Sequence, residues 1–194
     1  VTDADRSTQW WEVKGPSVLP RAAAAPDFAD VFAGELAYVV RSLRRLGVQS
    51  RDVEDVAHDV FVVVHRELAR FDADRAIRPW LFGIAFRVAS DHKRLARNRL
   101  EIATGEPPER IDATTTAHER LEQAEDRALV LRALDAVELG RRAVLVMHDI
   151  DGHPVPAIAR ELGLPLNTTY SRLRLARDEF RAAVTRLRRE RREP

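Results

Sequence analysis

With 194 residues, 45% of them hydrophobic and none of them cysteine, the chain has room for one domain or two small ones. It has no means of building a disulfide framework or a thiolate metal centre, which fits a reducing, cytoplasmic setting. The formal net charge of +1 gives no overall basicity toward nucleic acid, no apolar run is long enough to span a membrane, and the polar N-terminus lacks a signal-peptide core.

Residues 1–26 hold Trp10-Trp11, three prolines and an alanine run without a sustained period, and read as a disordered tail. From Asp27 the apolar residues Phe28, Val31, Phe32, Leu36, Val39, Val40, Leu43 and Leu46 recur at helical spacing until Gly47 stops them. A second helix is expected from near Ser50 to about Phe71, with Asp52, Glu54 and Asp55 against its positive N-terminal end. The segment "FDADRAIRP" is a turn-rich break, and "WLFGIAFRVASDHKRLARNRL" resumes as a third helix. Residues 100–118 carry glycine, Pro-Pro, a Thr-Thr-Thr run and acids with no core stripe, and read as a flexible linker. Helical pattern returns from Glu119 to Ile150, breaks at Asp151-Gly152, and continues over about Val155–Leu162 and Leu166–Arg189. No stretch alternates as a strand would, so the expected class is all-α: two small helical domains, over 27–99 and 119–194, on an acidic tether.

Charge follows this division. Residues 83–99 carry a net +4, residues 101–127 a net −5, and the chain from Pro154 onward a net +5. Two basic blocks flanking an acidic connector cancel in the total.

The C-terminal pair has the spacing of a helix-turn-helix: a helix with small Ala159, then Gly163 in the turn, then Pro165 leading into a longer helix. In that second helix Leu166, Thr169, Leu173, Ala176, Phe180, Val184 and Leu187 form the stripe expected to be buried. Asn167, Thr168, Ser171 and Arg174 point away from it. A packed back with a front of amide, hydroxyl and guanidinium groups suits the major groove, with arginines further along on phosphates.

Two further constellations lie in the N-terminal half. In "SRDVEDVAHDVFVVVHRELARF" the valines form one side, while Asp52, Asp55, His58, Asp59 and Arg66, with Val62 among them, form the other. By composition that face is either ordinary solvated surface or a docking site for a basic protein. Next, Phe71, Trp80, Phe82 and Phe86 interleave with Arg75, Arg78, Arg87, Lys93 and Arg94. Aromatic rings beside cations suit unstacked bases, although Trp80 and Phe82 also read as core.

"HDIDGH", His148 to His153, gathers potential metal ligands, but as a calcium loop counted from Asp149 its twelfth position is Arg160, so a polar turn and no metal is expected. No phosphate-cradling glycine loop, nucleophile elbow or zinc-protease helix occurs, so neither a cofactor nor an enzyme is expected. A stand-alone helix-turn-helix regulator and a protein-only adaptor are the rivals. The first has no need of the aromatic and basic segment, and the second has no need of the polar front at Asn167, Thr168 and Ser171.

Taken together, these motifs resemble the extracytoplasmic-function (ECF) sigma factors, promoter-recognition subunits of bacterial RNA polymerase. "DVEDVAHDVFVVVHRELARFDADRAIRPWLFGIAFRVASDHKRLARNR" is similar to their region two, and "ALDAVELGRRAVLVMHDIDGHPVPAIARELGLPLNTTYSRLRLAR" to their region four. The resemblance implies that Asp52, Asp55, Asp59, Val62 and Arg66 dock on core polymerase. It implies that Asp72, Asp74, Arg75, Arg78, Arg87, Lys93 and Arg94 capture the melted −10 promoter element. Asn167, Thr168, Tyr170, Ser171, Arg172, Arg174 and Arg177 would read the duplex −35 element. An anti-sigma factor is an implied partner. The chain departs from the family's usual residues with Val137-Glu138 where Leu-Pro is frequent, and with Thr169 where valine is usual. The Thr169 hydroxyl, on the packed side, is expected to bond back to its own helix.

Overall fold

The computed structural model of the protein describes residues 26–102 and 118–191; the Trp10-Trp11 tail and most of the proposed linker lie outside the described residues. Seven α-helices and no strand form among the described residues: α1 Phe28–Arg45, α2 Val53–Glu67, α3 Ile77–Ile102, α4 His118–Asp135, α5 Leu139–Leu145, α6 Val155–Glu161 and α7 Leu166–Glu190. The all-α expectation is met.

Helices α1, α2 and α3 pack on one another, and α4, α5 and α6 pack along α7. The valine side of α2 (Val53, Val56, Val60, Val64) is buried with Leu81, Phe82 and Ala85 of α3. In α1 the inward face is set by Val31, Tyr38, Val39, Ser42 and Leu43, whereas Phe32 and Leu36 are 41% and 37% exposed. The apolar spacing is therefore wider than the buried stripe, because Tyr38 and Ser42 take inward positions that a purely apolar pattern leaves out. Contacts of α3 with α6 and of α1 with α4 join the two helical groups. Most of their buried side chains form one continuous apolar cluster, reaching from Val31 to Ala176, with Ala133, Ala183 and Leu187 in a second, smaller one.

Several boundaries differ from expectation for local reasons. A turn over Gln49–Asp52, closed by Asp52 N–H on the Gln49 carbonyl at 2.9 Å, delays α2 to Val53. The end of the expected second helix tightens to a 3₁₀ turn at Leu68–Arg70. Helix α3 starts at Ile77, inside the predicted break, because Pro79 falls in its first turn, where a missing N–H costs nothing. The ends at Gly47 and Gly163 take φ of +80° and +64°. There the N–H groups of Val48 and Leu164 reach back to Leu43 and Ala159, so the left-handed residue lets the chain close the last turn.

The largest departure is in the expected helix over 119–150, which is broken at Ala136–Glu138 and widens to a π turn at Val146–Ile150. The Glu138 carboxylate restarts the helix by accepting from the N–H groups of Gly140 (2.9 Å) and Arg141 (3.0 Å). Arg142, only 4% exposed, meets the carbonyls freed by the break. Its Nη2 donates to Asp135 O at 2.8 Å and Val137 O at 3.0 Å, its Nε to Val137 O at 3.2 Å, and its Nη1 to Asp135 Oδ1 at 2.7 Å.

Two backbone carbonyls depend on that guanidinium, and a buried unsatisfied polar group costs about 1–3 kcal/mol. Arg142→Met keeps the stem and removes the donors, so urea unfolding is expected to show a loss of about 3 kcal/mol, close to that of Arg142→Ala. If Arg142→Met retains wild-type stability, bulk rather than hydrogen bonding holds the break.

Candidate nucleic-acid interface

The helix-turn-helix consists of α6 and α7, joined at Leu162–Pro165. Ala159 is buried where the helices meet, and Pro165, in extended conformation, leads the chain into α7. Thr169 is fully buried, and its Oγ1 donates to the Pro165 carbonyl at 3.1 Å, so the hydroxyl bonds back into its own helix. Leu173, Ala176 and Leu187 are buried and Phe180 and Val184 half-buried, as the stripe predicts. Leu166 is the exception, 45% exposed. As the first residue of α7 it precedes the level at which α7 meets its neighbours, and it joins the outward side.

That outward side carries Asn167, Tyr170, Ser171 and Arg174, all exposed, with Thr168 half-buried beside them. Tyr170 is 53% exposed and with Leu166, one turn earlier, adds an apolar margin to a polar face. Not every predicted cation is free. Arg177 donates from Nε to Asp149 Oδ2 at 2.8 Å and from Nη2 to Asp149 Oδ1 at 2.6 Å, a two-point grip on one carboxylate. Those hydrogen bonds outweigh the effect of burial and, with His148 alongside, hold the Asp149 carboxyl down to about 2. Arg172 is half-buried, with Nη1 close to Gly140. Burial raises the Glu138 carboxyl, and the N–H groups of Gly140 and Arg141 with the charges of Arg141 and Arg172 outweigh it, leaving it below the usual range.

The polar turn "HDIDGH" is thus committed to ion pairs. Asp149 serves α7, while Asp151 accepts from Tyr38 Oη at 2.9 Å and Arg45 Nη1 at 2.8 Å, both on α1. Burial and the neighbouring Asp151 push the Tyr38 phenol well above its ordinary range. Burial lowers the His153 imidazole, whose Nε2 is buried without a partner.

In the N-terminal half the aromatic and basic residues divide into three groups. Asp72 organises the loop after Phe71: its Oδ1 accepts from Asp74 N–H at 3.1 Å and its carbonyl from Arg75 N–H at 3.0 Å. Phe71 and Trp80 pack ring on ring, 4.8 Å between centroids, and close the loop's base. Arg75 reaches across to the Glu161 carboxylate at the end of α6, leaving its Nε buried and unpartnered. Arg78 donates to Glu35 Oε2 at 2.9 Å and lies 5.3 Å over the Tyr38 ring. Arg87 and Arg94 are exposed on α3, Arg94 joined to Asp91 at 3.1 Å. Lys93 turns toward Gly47.

The acidic side of α2 stays open. Asp55, Asp59 and Arg66 are exposed and Val62 half-buried, while Asp52 lies 3.9 Å from His92 Nε2 on α3. Beside Val62 the rings of Phe28, Phe32 and Phe61 form an apolar shoulder, Phe32 and Phe61 edge to face at 4.8 Å. Helical spacing alone does not mark Phe32 as part of this shoulder; the phenylalanine pair four residues apart at 28 and 32, facing α2, is the available signal.

Comparison with known proteins follows this division of the chain. Residues 32–99 match the family model of sigma-70 region 2, and residues 127–180 that of sigma-70, region 4. The RNA polymerase sigma factor CnrH of Cupriavidus metallidurans is 31% identical over 157 residues, covering 75% of this chain and 80% of that protein. The ECF RNA polymerase sigma factor SigM of Mycobacterium tuberculosis is 30% identical over 128 residues, 66% of this chain and 62% of that one. Among solved structures, CnrH in complex with the cytosolic domain of CnrY aligns with a TM-score of 0.56 at 27% identity, over 81% of this chain and 87% of its own. The sigma factor RpoE in complex with the anti-sigma factor NepR from Bartonella quintana shares the fold at a TM-score of 0.64 and 19% identity, over 80% and 98%. Two region matches in order, a helix-turn-helix with a polar front and a relative above 30% identity place this chain in the ECF sigma factor family of RNA polymerase.

Proposed function

We propose that the chain works by binding rather than catalysis, as the subunit that brings bacterial core RNA polymerase to a promoter in the cytoplasm. The carrying observation is the exposed front of α7, which sets Asn167, Tyr170, Ser171 and Arg174 outward in a chain whose other half matches region 2. Side-chain amides, hydroxyls and guanidinium groups at the start of a recognition helix can pair with base edges of a −35 element, while Arg174 and its neighbours meet phosphates. In the N-terminal half, the loop Asp72–Arg78 with Arg87, Lys93 and Arg94 would hold the melted −10 strand. Base stacking would supply contact that tolerates sequence, and the cations would supply the backbone affinity. The side of α2 with Asp52, Asp55, Asp59, Val62 and Arg66 would dock on core polymerase. RpoE was solved with an anti-sigma factor, and that likeness supports a partner of the same kind here.

Run-off transcription with purified core polymerase on a randomised promoter library tests this reading. Start sites that appear only when the chain is added are expected. Tight duplex binding by the chain alone, with no initiation alongside core polymerase, would instead identify a stand-alone regulator.

Two substitutions, one on α7 and one in the π turn beside it, separate the roles of its arginines. Arg174→Ala is expected to weaken binding to the selected −35 duplex; for one lost phosphate contact, the slope of log K against log salt flattens by about 0.9. Asp149→Asn has the opposite sense. It releases Arg177 from its carboxylate, and an added phosphate contact would steepen that slope by about 0.9. An unchanged slope for Asp149→Asn would mean that Arg177 is a structural residue outside the DNA footprint.

A further inference from the structure

Packing leaves one large apolar side chain of α7 without an explanation. Leu166 is 45% exposed, although helical period sets it on the stripe with Thr169, Leu173 and Ala176, all of which are buried. A lone exposed leucine is ordinary on a protein surface. Leu166 is not alone: Tyr170, 53% exposed, stands one turn further along, and residues four apart are neighbours on a helix surface. The two form an apolar strip along the edge of the polar front, beside the exposed Asn167, Ser171 and Arg174.

Position gives the strip its meaning. Leu166 is the first residue of α7, and Pro165 brings the chain into it in extended form from the turn at Gly163. In a helix-turn-helix the N-terminal end of the second helix reaches base edges in the major groove, while residues further along meet the backbone. Leu166 therefore lies where a reader of bases belongs, and it stays uncovered.

A leucine cannot read hydrogen-bonding groups. The floor of the major groove presents donors and acceptors at every base and a single apolar group, the C5-methyl of thymine. Set against the amino group of cytosine or adenine, or against O6 and N7 of guanine, an aliphatic side chain strips water from a polar group. It offers no partner in exchange, a loss that disfavours those bases. Set against thymine, it buries one methyl on another apolar surface. Both effects select the same base, one by attraction and one by exclusion. The neighbouring Asn167 amide complements the choice, since a side-chain amide pairs with N6 and N7 of adenine, and a T·A pair carries both groups in one step.

We propose that Leu166 is a specificity-determining residue that reads the methyl group of a thymine in the −35 duplex, with Tyr170 shielding the same methyl from water on the side of the next turn. This rests on the promoter-subunit reading above, and it gives a role in DNA recognition to a residue that helical period assigns to the core.

Replacing thymine by deoxyuridine removes the methyl and leaves base pairing intact, so the contact can be tested without altering the protein. The DNA is a promoter selected by core polymerase with the full chain, each thymine of either strand of its −35 element being replaced in turn. One thymine is expected to stand out, its replacement weakening binding of the polymerase complex about fourfold, the value of one buried methyl. Leu166→Ala should weaken binding to the unmodified promoter by a similar amount. The same deoxyuridine should then weaken it by less than about 1.5-fold, because the two changes remove one contact. Equal losses in Leu166→Ala and wild type would give the methyl to another residue and overturn the proposal. So would a −35 element in which no thymine matters or none occurs. Should the chain select a duplex yet start no transcript, the promoter-subunit reading falls, and the same scan on that duplex still decides the leucine contact. If no DNA is selected with or without polymerase, both fall.

Discussion

A guanidinium buried at Arg142 is the constraint on which the C-terminal half depends. A charge in that environment is tolerable only when its donors are met, and Asp135 and Val137 meet them with a carboxylate and two carbonyls that the end of α4 has released. The cation therefore fixes where α4 stops, and the Glu138 cap fixes where α5 starts. With that corner made, α5 lies along α7, and α7 in turn supports α6. The same guanidinium borders Gly47, where a Cβ would stand 2.4 Å from Arg142 Nη1. Gly47 thus answers two demands, a left-handed φ to end α1 and room for a charge arriving from the other half of the chain.

The parts of this fold that were legible in the sequence are those decided within a few residues. Gly47, Gly163 and Pro165 act through their own dihedral limits, so the ends of α1 and α6 and the start of α7 could be read directly. The valine side of α2 and the stripe from Thr169 to Leu187 follow from helical period. The break at Ala136–Glu138 could not be read that way. It contains neither glycine nor proline, and its cause is a side chain further on whose burial is a tertiary fact. The expectation for Leu166 failed for a related reason: period says which side of a helix a residue occupies, but the reach of the neighbouring helix decides whether that side is covered. Glu161 and Asp151 look like any surface acids in the sequence, because their partners Arg75, Tyr38 and Arg45 lie 86 to 113 residues away.

The candidate interfaces show how a near-neutral chain can present cations selectively. Clusters of arginine in the sequence suggested more free positive charge than the structure displays. Arg177 is gripped by Asp149, Arg75 by Glu161 and Arg78 by Glu35, while Arg174 and Arg87 are exposed and have no acidic partner among the described residues. Pairing of this kind suppresses indiscriminate attraction to nucleic acid and leaves recognition to a few groups in fixed positions. The acidic side of α2 keeps its character since Asp55 and Asp59 are exposed and unpaired among those bridges. A single domain surface would struggle to keep such opposed preferences apart; two helical groups meeting along one edge separate them.

The π turn at Val146–Ile150 has one more consequence. Its wider ring, closed by Asp151 N–H on the Val146 carbonyl at 2.9 Å, inserts an extra residue's worth of rotation before the chain turns toward α6. Within three residues it sends one carboxylate, Asp149, into its own half and another, Asp151, into the opposite half. The segment is therefore constrained in length more than in composition. Many side chains could occupy the exposed Ile150 without harm, but gaining or losing one residue would swing both acids off their partners together. A tally of sequence changes that counts substitutions and length changes alike would miss that difference.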